Sequence, residues 1–557
     1  MRLIRYIISF ILLYGLGVEF AHAQVHTLED TLSVLNPDFY RAVQSTKNKK
    51  DKTDSLYFQT FQKKRLLFSQ TNITQLLADS LQQAAILEVQ YGSSRRGLRF
   101  PTGAYRSNMA SLYTEGFTTI GKAKILGKFY FDKIWEDSLS NNLGGDLENG
   151  IPFTYFATKA GKYERQNINF EAGVAYPVFR GLYLNSLINY DYHWSTGSVD
   201  PRPDEKIFHL KYSPGLSYKI KQTIIGANYI LGKKDGTIDI GYKNRMFSTS
   251  QLYPDRRLYI NNGWGYIAQL TSETYGEYKT KIDGWEVQLA TNVYGWDIKA
   301  NYSNQFKARK NFSRIIASDT VRVIDGSSLI ISGNIKEIAH SRYEVVTQAL
   351  STFLLKDLNN TVHQLYFEGM INEGTAQLIS VPTGANYLFD EHNASLNYLL
   401  SLKKDGRLNS EWGINSALMH FTKKDFLSQH FYENTKADFS VQGGKYLYSK
   451  NHSLKITAQP GLILPFTNSL QVPETQVNVF TKSIVYPEYD FRGSTFFTGK
   501  LGLMYYSPSM LRLAGSSISL NINYLQKLKD SDIDRTLVPT YTGKNQLQLS
   551  LGFQIFL

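Results

Sequence analysis

Large apolar side chains alternate with small or polar ones at the C-terminal end of the chain. Leu547, Leu549, Leu551, Phe553, Ile555 and Leu557 stand at every second position, with Gln548, Ser550, Gly552 and Gln554 between them. A period of two gives each set its own face of a β-strand. In water, a terminal strand with one wholly apolar face risks edge-to-edge aggregation. In a bilayer that face meets lipid, and a crossing strand has about this length. The pattern predicts the closing strand of a transmembrane barrel, with Leu549, Leu551, Phe553, Ile555 and Leu557 on its lipid face.

The same alternation persists from about residue 122. Leu182, Leu184, Ile188, Tyr190 and Tyr192 oppose Asn185, Asn189, Asp191 and His193. Phe208, Leu210, Tyr212, Leu216, Tyr218 and Ile220 oppose His209, Lys211, Ser213, Ser217 and Lys219. Trp296, Ile298, Ala300, Tyr302 and Phe306 oppose Asp297, Lys299, Asn301, Ser303, Gln305, Lys307 and Arg309, and Ile518, Leu520, Ile522 and Tyr524 oppose Ser519, Asn521 and Asn523. One face suits lipid and the other water, so the interior is expected to be polar.

Turn signals alternate with long polar stretches. Short turns are expected at Lys404 to Gly406, Asp357 to Asn360, Ser449 to Asn451 and near Gly295. Long loops are expected near 136–165, 195–205, 310–341, 374–391, 465–492 and 528–543. Short periplasmic turns opposite long external loops give about 18 strands starting near Lys122, with about 14 or 16 as alternatives because 247–261 is long for a periplasmic turn. The expected fold is an all-β, antiparallel up-and-down transmembrane β-barrel with a short helical or coil segment at the N-terminus.

At that terminus, Arg2 and Arg5, the apolar stretch Ile7 to Leu16 and Ala21-His22-Ala23 compose a secretory signal peptide over residues 1–23. Its apolar run is too short for a membrane-spanning helix. Residues 24–110 read as a periplasmic or luminal segment and 111–557 as the barrel. Within the segment, Leu76, Leu77, Leu81, Ala84, Ala85 and Leu87 recur at helical spacing, and Lys47 to Lys52 is charge-rich. Arg95, Arg96, Arg99 and Arg106, broken by Gly97 and Gly103, form a basic coil that suits either lining or plugging a lumen or a solvated linker.

Composition sharpens the picture. Mean hydropathy is −0.30, which hides a barrel because only alternate residues face lipid. The 38 Tyr and 32 Phe, against 6 Trp, fit aromatic girdles at the membrane interfaces. The chain has no Cys, which excludes disulfides, thiolate metal sites, a Cys nucleophile and a lipoprotein anchor. The net charge is +13; Arg2, Arg5 and Glu19 contribute a net one of these, leaving +12 after signal removal. His209, Lys211, Lys219, Lys299, Lys307 and Arg309 are the candidate lumen-lining residues, and Lys403 shares their phase. Cations lining a pore favour anions, whereas cations outside would neutralise lipopolysaccharide phosphates. Nucleic-acid binding is not expected, because the basic residues are scattered and the compartment is wrong.

Three motifs invite other chemistry. Gly116 to Lys122 matches a phosphate-binding skeleton, but Ala123 replaces the Mg²⁺-holding Ser or Thr and no strand–loop–helix follows. Asp390-Glu391-His392 reads as a solvated loop mouth rather than an acid–base or metal cluster. Asp191, His193 and Ser195 share one face and are the best enzyme candidate, a rim hydrolase of lipid or peptide. Nothing in the spacing fixes a nucleophile–base hydrogen bond, so no catalytic, cofactor or metal residue is assigned.

The chain resembles outer-membrane β-barrel proteins of Bacteroidota, in particular an uncharacterised family of about this length. The resemblance rests on the export signal, Gly97 to Gly103, Tyr113 to Gly116 and the terminal strand. It implies outer-membrane residence but imports no activity. Asp-Ser/Thr-Leu tripeptides at Asp30, Asp54 and Asp79 look like O-glycosylation acceptors of that phylum. The segment before the barrel is shorter than a TonB-dependent receptor's plug, and no TonB box is evident. The expected role is a channel or ligand-uptake component, with an accessory role beside such a receptor and a surface-binding barrel with a plugged lumen as alternatives. Expected partners are outer-membrane lipid and lipopolysaccharide, the barrel-assembly machinery, and a TonB-dependent receptor or surface lipoprotein.

Overall fold

The computed structural model describes residues 73–78 and 84–556, apart from internal segments at 146–149, 317–318, 323–327, 332–334, 382–383, 451, 509, 511–514 and 539–542. The expected signal peptide, the three tripeptides, Lys47 to Lys52, Leu81 and Leu557 lie outside the described residues.

The chain forms a closed, antiparallel 18-stranded barrel in which consecutive strands are neighbours. The strands are Ala84–Arg96, Arg106–Ile120, Ala123–Leu139, Gly161–Phe179, Leu182–Gly197, Arg202–Ile220, Thr223–Gly241, Thr274–Val293, Trp296–Ile316, Ile335–Asp357, Thr361–Leu378, Tyr387–Lys404, Arg407–Asp425, His430–Ser449, His452–Gln471, Thr495–Ser507, Ser516–Lys529 and Asn545–Phe556. They are β1 to β18 in that order. Closure comes from β1 against β18, in register from Ile86↔Phe556 to Arg96↔Gln546. Closure leaves no barrel strand with an open edge among the described residues, as a membrane-spanning sheet requires.

Two faces follow from the alternation. Along β18, Leu547, Leu549 and Leu551 are exposed on the outside, while Gln546, Gln548, Ser550 and Gln554 are buried within. Leu184, Ile188, Tyr212, Leu216 and Tyr218 likewise project outward and Asn185 and Ser217 inward. Turns at one end are tight: Asp405 and Gly406, like Tyr294 and Gly295, both adopt positive φ, as a two-residue hairpin turn requires. The other end carries the long connections.

The expected strand number is met, but the strands are not those the sequence rhythm gives. The barrel begins at Ala84 rather than at 111, so part of the expected helical or coil segment is wall. Of the helical pattern, Leu76 and Leu77 lie in a short helix, Ile73–Ala78, whereas Ala84, Ala85 and Leu87 lie in β1. The helical spacing misled because β1 is polar inside and carries small residues at its start. The four-arginine stretch is wall and loop rather than coil: Arg95 and Arg96 end β1, with Arg96 buried on the inward face, Arg106 opens β2, and Arg99 lies in their long-side connection.

Residues 247–261 are part of a long-side connection, not a short-side turn. Leu258–Asn262 and Ile267–Leu270 are too short to cross a bilayer. They pair with each other, and the first pairs with Phe153–Phe156, in a small sheet among the loops.

Candidate functional site

The lumen is occupied at both ends. At the short-turn end, helix Ile73–Ala78 lies inside the barrel, with Ile73, Leu76 and Leu77 packed against inward residues Leu126, Ala175 and Ile224. Two inward glycines make its seat. A Cβ on Gly226 would lie 2.1 Å from Thr74 Oγ1, and one on Gly173 would lie 2.5 Å from Ile73 Cδ1. The Thr74 and Ser217 hydroxyls are hydrogen-bonded at 2.6 Å, and Lys124 Nζ donates to the Leu76 carbonyl at 3.0 Å. A helix of one and a half turns has no stability of its own in water, so this wall holds it.

At the long-loop end, the connections fold inward as a cap. Phe153, Phe156, Trp264, Phe480, Ile484, Val485 and Tyr489 from the loops form one core with inward wall residues such as Tyr343, Phe389, Phe421 and Tyr432. Trp264 stacks on Tyr432 with ring centroids 5.4 Å apart. The Asp425 carboxylate, at the end of β13, accepts from the backbone N–H of Trp264 at 2.7 Å and of Tyr266 at 3.0 Å.

Charge anchors the cap to the wall. Within helix Tyr486–Gly493, Glu488 accepts from Lys423 Nζ and Arg492 Nε, each at 2.9 Å, and Asp490 pairs with Lys527 at 3.0 Å. Burial pushes the Glu488 carboxyl up, but the Lys423 ammonium and Arg492 guanidinium outweigh it and hold the group below its ordinary value. A carboxyl lowered in the folded state contributes stability above its unfolded pKa and loses it as pH falls through the folded one.

Glu488→Gln strands two buried cations and is expected to cost the cap roughly 3–5 kcal/mol. Hydrogen exchange across Tyr486–Gly493 should speed up by two orders of magnitude or more at neutral pH. The gap between variant and wild type should narrow below pH 4.5, the ordinary glutamate value. A gap independent of pH would contradict the assignment.

Between floor and cap the wall is polar and carries groups of both signs. Lys128 pairs with Glu171 at 3.5 Å, His209 with Asp191 at 2.8 Å, and Asn228 donates to Glu286 at 3.2 Å. Lys211, on the same wall, lies among Asp191, Glu171, Glu286 and Lys307. The cations picked out by sequence therefore do not form an unopposed strip. Lys299 and Lys307 take the inward phase of β9, Lys219 sits beside a short turn, and Lys403 pairs with Asp357 at another. The carboxylates that balance them were on the page as alternating polar positions, but only register shows which strand they oppose.

Arg309 has a different setting. Its guanidinium lies 3.5 Å from the Tyr278 ring centroid, and its Nε donates to Asn311 at 3.0 Å. Arg309, Tyr278 and Asn311 line a pocket beneath the cap with Glu205, Tyr155 and His340, walled by Phe153, Ile238, Ile260 and Phe312. Burial pushes the Tyr155 phenol up to about 12, against the pull of Arg309, so it is a neutral hydrogen-bonding group at physiological pH. A carboxylate, a guanidinium and aromatic faces meet in this recess, whose volume of about 50 Å³ admits little more than water. Arg309 alone of this set was singled out in the sequence; Glu205, Tyr155 and His340 come from three separate stretches with no motif.

The other motifs disperse. His193 Nδ1 is 2.6 Å from Asn167 Oδ1, and Asp191 pairs with His209, so the Asp191–His193–Ser195 set is not wired as a relay. Glu391 is buried and inward, whereas His392 faces the opposite side beside His420, with ring centroids 5.8 Å apart. Asp390 to His392 lie within β12, not in a loop mouth, because alternation carries through them. Gly121 turns the β2–β3 hairpin at φ +60°, so the phosphate-loop resemblance has no phosphate-loop geometry. Among the described residues no group of three or more His, Asp or Glu is placed to hold a metal ion.

Comparisons with known proteins complete the description. Residues 74–557 match a model described as a family of unknown function, DUF6850. A search of curated proteins found no match. Similar solved structures include the ferric citrate transporter FecA in unliganded form, at 8% identity over 86% of this chain and 79% of that chain, with a TM-score of 0.39. The copper transporter OprC is 5% identical over 85% and 81%, with a TM-score of 0.38. The outer-membrane transporter YddB from Escherichia coli is 6% identical over 84% and 80%, with a TM-score of 0.36. At such TM-scores these likenesses carry no argument about activity.

Proposed function

This chain belongs to the family of unknown function DUF6850, and we propose that it is a gated ligand-uptake barrel of a Gram-negative outer membrane. The observation that carries this reading is the pair of seated elements, a cap over one mouth and helix Ile73–Ala78 inside the other. A small solute admitted past the cap would pass the polar chamber once the floor helix leaves its seat. A periplasmic partner, such as an energised uptake system, would draw the helix away. An open anion-selective pore fits less well, because Lys128 is paired with Glu171 and Arg309 is stacked on a ring. We read the role as non-catalytic, since His193 and Asp191 are engaged by partners other than Ser195.

Conductance in planar bilayers tests the proposal. The wild-type barrel is expected to stay closed. Replacing 473–493 by a short Gly-Ser linker and adding Gly226→Val should open both mouths and give discrete conducting steps. If the wild type conducts freely, the closures are not gates. If the doubly opened variant, shown to be folded by heat-modifiable migration, stays silent, the lumen is no pathway and a surface-binding role takes its place.

A further inference from the structure

The outer face carries a feature the uptake reading does not use. On β7 to β10, in the half of each strand nearer the long loops, Lys233, Lys279, Lys281, Lys310 and Arg342 all project outward and are exposed. Register sets like charges directly opposite one another: Lys233↔Lys281, Lys279↔Lys310 and Lys310↔Arg342. Such pairs are destabilising in a sheet, and three of them in adjoining strands work against the fold.

The carboxylates of this face only partly answer them. Asp235 pairs with Lys233 at 3.5 Å and Glu277 with Lys279 at 2.8 Å. Asp283 and Glu344 also face outward, yet Lys281, Lys310 and Arg342 take no carboxylate among the described residues. Just toward the short turns, the same face is apolar and aromatic, with Tyr229, Leu231, Trp285 and Phe306 exposed. Lys233 Nζ lies 5.0 Å from the Phe208 ring and Lys279 Nζ 5.2 Å from the Phe312 ring. The cations thus stand where hydrocarbon gives way to headgroups. Farther round the wall the character changes: Glu373, Asp390, His392, His420 and Glu433 hold corresponding outward positions on β11 to β14.

We propose that Lys281, Lys310 and Arg342, with Lys233 and Lys279 beside them, form a docking site for the phosphorylated headgroup of an outer-leaflet glycolipid, lipopolysaccharide. Phosphate oxygens between opposed cations would turn repulsion into paired, charge-assisted hydrogen bonds, Arg342 offering a fork and the lysines point charges. The acyl chains would lie along the apolar band below. The site faces lipid rather than lumen, so it stands or falls independently of gating.

The test is lipid binding to the full-length barrel in detergent, followed by native mass spectrometry with bisphosphorylated lipid A, dephosphorylated lipid A and phosphatidylglycerol as probes. The variant is Lys281→Gln, Lys310→Gln and Arg342→Gln together. The control removes the same charge near the short turns, through Lys404→Gln, Arg407→Gln and Lys445→Gln. The rim variant relieves repulsion and is expected to fold. It should bind bisphosphorylated lipid A on the order of 100-fold more weakly, roughly fivefold for each basic group lost, while the control stays within about twofold of wild type. Wild-type binding should fall with added salt, and dephosphorylated lipid A and phosphatidylglycerol should bind poorly. Equal losses in rim and control variants, equal affinity for dephosphorylated lipid A or phosphatidylglycerol, or salt-insensitive binding would each overturn the proposal.

Discussion

Gly173→Val combined with Gly226→Val is expected to expel helix Ile73–Ala78 from the barrel while leaving the wall intact. Each glycine faces the helix so closely that an added Cβ would fall within 2.5 Å of Ile73 or Thr74. Overpacking of this kind costs roughly 1–3 kcal/mol per site, and valine adds two methyls beyond the Cβ. The helix has little margin to absorb this. Among the contacts that hold its six residues are three buried apolar side chains, the Thr74–Ser217 hydroxyl pair and Lys124, against an ordering cost of roughly 1–2 kcal/mol per residue.

The chain has no native Cys, so a single Thr74→Cys reports the outcome cleanly. Its thiol should be protected from a membrane-impermeant maleimide in the glycine background and react within seconds in the valine background. Equal protection in both would mean that the helix is held by something other than this seat.

The second large effect concerns insertion. Phe553 and Gln554 are consecutive residues of β18 on opposite faces. Phe553 lies on the outward phase with Leu549 and Leu551, while Gln554 is buried, donating to Glu88 at 3.0 Å and accepting from Ser517 at 2.9 Å. An arginine facing lipid near mid-bilayer costs roughly 2–4 kcal/mol. Phe553→Arg should therefore leave the protein outside the membrane and degraded. Gln554→Arg would place a guanidinium beside Glu88 in a polar interior and should still yield folded barrel. Comparable amounts of folded protein from the two would contradict the face assignment.

These two predictions draw on different degrees of legibility. The faces of β18, β9, β6 and β5 could be read from the sequence because lipid outside and water inside impose a period of two on each strand. The tight turns were readable from Asp405-Gly406 and Gly295, whose conformations few other residues adopt. Residues 247–261 show what this reasoning lacks: read as an overlong short-side turn, they belong to a long-side connection whose strands, Leu258–Asn262 and Ile267–Leu270, are too short to cross a bilayer. Ala84 to Leu87 show the converse, a wall strand whose start mimics helical spacing.

The candidate site was legible only in part. Arg309 was visible as a cation on the inward phase. Its stacking on Tyr278, and its company of Glu205, Tyr155 and His340, arise from pairing between strands and loops far apart in sequence. The compensation of Lys128 by Glu171 and His209 by Asp191 is likewise a property of register. Gly173 and Gly226 carry no signal in isolation, because their meaning depends on what lies across the lumen.

A disulfide tests whether a removable helix closes the short-turn mouth. Thr74 and Ser217 hydroxyls lie 2.6 Å apart, so Thr74→Cys with Ser217→Cys should cross-link helix to wall in this Cys-free chain. In the background with 473–493 replaced by a linker, single-channel conductance is recorded before and after adding a reductant. The barrel is expected to be silent while oxidised and to open reversibly once reduced, as the helix leaves and regains its seat. Conductance that is the same in both states would contradict it.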